Sequence, residues 1–148
     1  MSQSTPEVLS QRFELGFTYT RSTGPVVGAF LTGLRDRKVM GNRGADGTVY
    51  VPPVEFDPAT AAPVTDMVEV GQTGTVQSWS WVAHPRPKHP LDRPFAYALI
   101  KLEGADVPML HIVDAGQLSA MSTGMPVRVR WAQQPRGHIT DIACFEPA

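Results

Sequence analysis

Residues 75–103 decide the fold. They read Thr75-Val76-Gln77-Ser78-Trp79-Ser80-Trp81-Val82-Ala83, then His84-Pro85-Arg86-Pro87-Lys88-His89-Pro90-Leu91-Asp92-Arg93-Pro94, then Phe95-Ala96-Tyr97-Ala98-Leu99-Ile100-Lys101-Leu102-Glu103. The outer stretches are rich in β-branched and aromatic residues and contain no proline, which is the composition of strands. The middle stretch cannot enter a strand, because each proline removes a backbone donor. Two strands joined by a stiff, extended, basic loop is the reading that follows. Side chains alternate along a strand, so Gln77, Trp79, Trp81 and Ala83 share one face and Val76, Ser78, Ser80 and Val82 the other. Both tryptophans are then either core residues or exposed interface anchors.

Further strand candidates lie on both sides: Met67 to Val70, Val107 to Val113, Val127 to Ala132 and Ile139 to Phe145. Gly71, Gly74, Gly104, Gly124 and Gly137 punctuate them. Residues 115–122 read as a short helix or 3₁₀ turn. Five strands with a small helical insert between the third and fourth suit a closed OB-type barrel; a β-sandwich has the same pattern. Upstream, Pro25 opens a helix over residues 25–38. Val26, Phe30 and Leu34 make its apolar stripe at i, i+4 and i+8, and Gly41 is the expected stop. Residues 41–66 are loop with one short hairpin. Residues 1–24 are polar and mixed, with the aromatics Phe13, Phe17 and Tyr19. The expected organisation is an N-terminal segment and helix over 1–40, a knuckle over 41–66 and the barrel over 67–148.

Glycine and proline make up 13 and 14 of the 148 residues, so long helices do not dominate. Apolar residues are 42% and charged residues 18%, enough for a core and too little charge for a disordered chain. A net charge of −1 disfavours a globally basic nucleic-acid binder. Residues 1–10 lack the pattern of a secretory signal. No apolar run reaches the length of a membrane helix, and a single cysteine fits a reducing compartment. The expectation is a cytoplasmic protein bound neither to nucleic acid nor to membrane.

No nucleophile elbow, zinc-protease or phosphate-loop motif occurs. Cys144 has no histidine beside it and reads as a buried small hydrophobe. His84 and His89 share the basic loop, but two histidines without a third ligand make a weak metal signal. Gly41, Gly44 and Gly47 lead into Val49-Tyr50-Val51-Pro52-Pro53 rather than a helix, so they form a knuckle and not a phosphate cradle. Arg128 and Arg130 alternate with Val127, Val129 and Trp131 as the outward side of a half-exposed strand. The distinctive feature is the loop from His84 to Arg93, whose Arg86, Lys88 and Arg93 can grip a phosphate-bearing ligand or an acidic partner.

Several of these pieces, in this order, resemble a family with a rubredoxin-like zinc ribbon followed by an OB fold, associated with acyl-CoA metabolism and thiolase-like enzymes. Gly47-Thr48-Val49-Tyr50-Val51-Pro52-Pro53 resembles the end of a zinc-ribbon knuckle, Gly74-Thr75-Val76 the entry to the first barrel strand, Pro94 to Gly104 the second, and Gly124-Met125-Pro126-Val127 the entry to the fourth. The family's four cysteine positions fall at about Arg43, Asp46, Asp57 and Thr60. None is cysteine, so a metal-free remnant is expected, packed by Val49, Tyr50 and Phe56.

The resemblance implies a non-catalytic OB-fold subunit that holds a thiolase-like, lipid-transfer-type partner in a hetero-oligomer. Such complexes include aldolases that cleave steroid-type side-chain acyl-CoA. Acyl-CoA is the ligand so implied for the complex; no cofactor is expected for this chain. Candidate contacts are His84, Arg86, Lys88, His89 and Arg93 of the loop, Trp79 and Trp81 before it, and Phe30 and Leu34 of the helix. A free-standing acyl-CoA-binding module is the alternative, and single-stranded nucleic-acid binding by the tryptophans a third.

Overall fold

A computed structural model describes residues 8–148. Part of the stretch from which no secretory signal was read, residues 1–7, lies outside the described residues. Residues 8–23 carry neither helix nor strand and are exposed almost throughout.

Helix α1 runs Gly24–Arg35 with Pro25 in its first turn and Arg35 in its last, where a cation suits the C-terminal dipole. Val26, Phe30 and Leu34 form its buried stripe. The helix ends well before Gly41. The Lys38 amide closes on the Gly33 carbonyl at 2.8 Å, and Arg37 takes a left-handed φ of 57° to turn the chain. Gly41 lies instead inside strand β1, where a Cβ would stand 2.6 Å from the Tyr50 carbonyl oxygen.

Strands β1 (Val39–Arg43) and β2 (Val49–Tyr50) make the expected hairpin, and β3 (Asp66–Val70) pairs antiparallel along the other side of β1. The segment from Met67 to Val70, grouped with the barrel from sequence, is therefore hydrogen-bonded to the knuckle. Asn42 is fully buried and organises the loop beyond: its Nδ2 donates to the Val54 and Val64 carbonyls, and its Oδ1 accepts from the Val54 amide. Val49, Val51 and Val64 supply the apolar packing. Phe56 does not, contrary to expectation. It is 58% exposed and sits on an isolated bridge to Pro63, outside any sheet that would seal it.

The remaining strands are β4 (Thr73–Val82), β5 (Phe95–Leu102), β6 (Met109–Val113), β7 (Pro126–Trp131) and β8 (Ile142–Pro147). They close in the order β4-β5-β6-β8-β7. Only β6 and β8 run parallel. A 3₁₀ turn at Leu118–Ala120 falls inside the segment read as helix or 3₁₀. A second, Ile139–Asp141, replaces the start of the last expected strand. There the buried Asp141 carboxylate accepts the amides of Arg136, Gly137 and His138, which bends the chain into a turn.

Ala96, Ala98, Ile100 and Leu102 of β5 meet Val76, Met109, Val113, Val127, Ile142 and Phe145 inside the barrel. Phe30, Leu34 and Val39 belong to the same core, so helix, knuckle and barrel share one apolar interior. A smaller cluster of Phe95, Ile112 and Cys144 lies apart, covered by Val82, Leu91 and Tyr97.

Strand β4 departs from simple alternation. Val76 pairs with Ile100 and Ser78 with Leu99, which leaves Gln77 without a partner as a bulge. The extra residue switches parity, since side chains repeat with period two. Val76 therefore shares the main core with Trp79 and Trp81, rather than facing away from them.

Candidate functional site

The loop of residues 84–93 folds back on the barrel wall. The His89 amide donates to the Arg86 carbonyl at 2.9 Å, and the Arg86 amide donates to His89 Nδ1 at 3.1 Å. The His89 ring stands edge-on to Phe95 and Tyr97, with centroids 5.8 and 6.5 Å apart. His89 is therefore the loop's anchor, its Nδ1 spent on the chain itself. His84, Arg86 and Lys88 remain exposed, and among the described residues no carboxylate pairs with either cation.

Arg93 is not free in the same way. Its guanidinium reaches the Asp114 carboxylate, which also accepts from Arg130 Nη2 at 2.7 Å. Arg130 and Arg128 in turn hold Glu146. Burial acts to raise the Asp114 pKa, but the hydrogen bonds and charges of the two arginines prevail and hold it below the usual carboxylate range. Arg93 as a ligand-gripping cation is thus corrected, because its charge already compensates a nearly buried carboxylate.

Trp79 and Trp81 pack against the barrel core and are half-buried, so neither is a free aromatic anchor. The bulge at Gln77 turned them inward. Phe30 and Leu34 are corrected outright as partner contacts. Leu34 is 0% exposed and Phe30 is sealed beside it, and a side chain enclosed by its own chain touches no partner.

Sequence reasoning missed the apolar surface beside the loop. Pro90 and Leu91 form one rim of a groove of about 510 Å³, and Ile139 and Thr140 another. Tyr97, Leu110 and Ile112 are among the residues between them. Leu110 is 63% exposed and stands directly opposite Leu99, also exposed, on the outer face of β5 and β6. Strand alternation carried this signal: Tyr97, Leu99 and Lys101 are the outward positions of β5. Helix α1 packs against the 3₁₀ turn that bears Ile139. His111 also lines the groove, with a pKa lowered by burial and a buried Nδ1 that has no hydrogen-bond partner among the described residues.

At the knuckle, Asp46 accepts the Thr48 amide and hydroxyl at 2.9 Å each. Asp57 accepts the Ala59 and Thr60 amides at 2.9 Å each. These hydrogen bonds hold the Asp57 pKa low and stitch the two turns. Zinc does not fit here. Arg43 is a cation, Thr60 is a poor ligand, and both carboxylates are engaged with backbone donors. Among the described residues no group of three or more His, Cys, Asp or Glu is placed to hold a metal. Cys144 is fully buried, and burial pushes its thiol up to about 11, so no reactive thiolate is present there.

Comparison with known proteins agrees with this architecture. Residues 67–132 match the family model described as "ChsH2, C-terminal OB-fold domain". No curated protein matches the chain. Among solved structures, a protein of unknown function from the DUF35 family of Sulfolobus solfataricus superposes with a TM-score of 0.58 at 20% identity, covering 72% of this chain and 78% of that one. The Ltp2-ChsH2(DUF35) aldolase superposes with a TM-score of 0.60 at 23% identity, covering 80% of this chain and 91% of its own. The barrel order, the helical insert and the matched segment converge: the chain carries an OB-fold barrel that resembles the C-terminal OB-fold domain of ChsH2.

Proposed function

We propose that this chain is the non-catalytic OB-fold subunit of an aldolase complex. Its partner is a thiolase-like, lipid-transfer-type protein that carries the catalytic residues, and the substrate is an acyl-CoA with a steroid-type side chain. The single observation that supports this most is the pairing of a stiff loop bearing exposed Arg86 and Lys88 with an apolar groove on the same barrel wall. An exposed apolar surface beside a basic loop suits a docking face. The likeness to ChsH2 and to an aldolase solved with Ltp2 points the same way. No helix among the described residues is long and apolar enough to cross a membrane; a cytoplasmic complex is part of the proposal.

Affinity capture of the tagged chain from its native lysate tests the reading. A thiolase-superfamily protein retained at near-equal stoichiometry, with acyl-CoA cleavage only when both chains are present, is the expected result. Cleavage by the isolated chain overturns it.

The groove also favours a second reading, an acyl-CoA-binding module. Its volume admits an acyl chain, and the exposed Arg86 and Lys88 belong to the loop whose Pro90 and Leu91 line it. Calorimetry with CoA and a long-chain acyl-CoA separates the two. Salt-sensitive binding by the isolated chain that is lost in Arg86→Ala/Lys88→Ala supports the module.

A further inference from the structure

The chain before α1 presents a pattern that no part of the fold uses. Residues 12–20 read Arg12-Phe13-Glu14-Leu15-Gly16-Phe17-Thr18-Tyr19-Thr20, with large apolar side chains at every second position. Phe13, Leu15, Phe17 and Tyr19 are 84%, 68%, 78% and 82% exposed. Each such side chain left in water leaves the free energy of its burial unused. Period two places all four on one face of a strand and on opposed faces of a helix. Gly16, Thr18 and Thr20 are poor helix formers, so the strand is the conformation this segment is built for.

A strand needs hydrogen-bond partners for its backbone. Among the described residues, none of the backbone groups of residues 12–20 has one. The chain offers little to pair with. The barrel is closed and has no edge. The outer edge of β2 is occupied, because the Val49 carbonyl accepts the amides of Asp106 and Val107. The outer edge of β3 spans only Asp66–Val70, and its two acids leave no apolar shelf for four large side chains. Sixteen extended residues from Val8 to Thr23 reach about 50 Å. A compact body of this length is about 38 Å across, so a segment of this length can reach beyond its own fold.

We infer that residues 12–20 form an arm that adds as a β-strand to an exposed sheet edge of the aldolase partner, seating Phe13, Leu15, Phe17 and Tyr19 on an apolar shelf beside that edge. The inference rests on the accessory-subunit reading, which supplies the partner. Main-chain pairing gives the arm affinity and the alternate side chains give it specificity.

The test uses the full chain and the thiolase-like subunit that it retains. Phe13→Asp/Phe17→Asp changes only exposed positions and leaves the thermal midpoint of the isolated chain unchanged. The expected result is at least about tenfold weaker association of the variant. Slowed amide hydrogen exchange at residues 13–19 in the wild-type complex, absent from the free chain, is expected with it. Equal affinity of the variant and wild type, or unprotected amides in the complex, overturns the arm and leaves the accessory reading standing. Failure of the wild-type chain to hold any such subunit overturns both. A dimer of the isolated wild-type chain that the variant abolishes assigns the arm to a second copy and overturns the choice of partner.

Discussion

Arg93, the last cation of the basic loop, gives its guanidinium to Asp114 just beyond β6. The Asp114 side chain is only 8% exposed, and Arg130 on β7 shares it. One carboxylate thereby ties the loop to two strands that are not neighbours in the barrel. Removing one partner of such a cluster leaves charge without compensation, which costs more than the pair itself contributes.

Asp114→Asn is therefore expected to lower stability by about 1–3 kcal/mol at neutral pH, read by urea unfolding. The sign with pH follows from the depressed folded pKa. The contribution is fully present above the unfolded carboxylate value, roughly 3.9, and is lost as pH falls through the lower folded value. The gap between wild type and variant narrows in acid. A gap that is the same at pH 7 and pH 3 would refute this account of Asp114.

Among the described residues, Arg86 and Lys88 make no such contacts. Arg86→Glu/Lys88→Glu is expected to shift unfolding free energy by no more than about 0.5 kcal/mol. In the same variant, association with the proposed thiolase-like partner is expected to slow and lose salt dependence. Surface interferometry at two ionic strengths measures both. A variant that unfolds with the wild type and binds at the wild-type rate at low salt removes the loop from the docking face.

Trp79 and Trp81 bear on the nucleic-acid reading. Their rings lie against the barrel core, so Trp79→Ala is expected to cost about 2–3 kcal/mol, somewhat less than a fully buried aromatic. Single-stranded oligonucleotides are expected to leave tryptophan emission unchanged. Strong quenching, relieved by salt, would instead place an exposed stacking surface on β4.

The parts of the fold carried by local composition were legible in the sequence. The helix stripe, the strands from Thr75 onward and the turn at Leu118–Ala120 each follow from residues within one short window. What escaped depends on residues far apart. The bulge at Gln77 is set by pairing with Leu99 and Ile100, and the strand's own pattern of small polar and large apolar residues is compatible with either parity. The stripe of Phe30 and Leu34 announces an apolar face without saying that this chain's own knuckle and barrel cover it. Arg93 looked free because its partner lies 21 positions away on another element. Leu99 and Leu110 make an exposed patch only once β5 and β6 are placed side by side. The OB-type order was reached through the resemblance as well as the pattern, since a sandwich shares the same strands.

The knuckle offers the last test. Hydrogen bonds to Asp46 and Asp57 close the turns that thiolates would close around zinc in a ribbon. If the carboxylates alone hold the loops, chelation with EDTA leaves the thermal midpoint unchanged and purified protein carries far less than one zinc per chain by elemental analysis. Asp57→Ala removes the acceptor of two amides and a hydroxyl and lowers the midpoint. Asp57→Asn keeps one carbonyl oxygen for those donors and falls between. The low Asp57 pKa sets the pH sign: its contribution is present above the ordinary carboxylate value and fades in acid. Zinc near one equivalent, with a midpoint that drops on chelation, would overturn the carboxylate account of this loop.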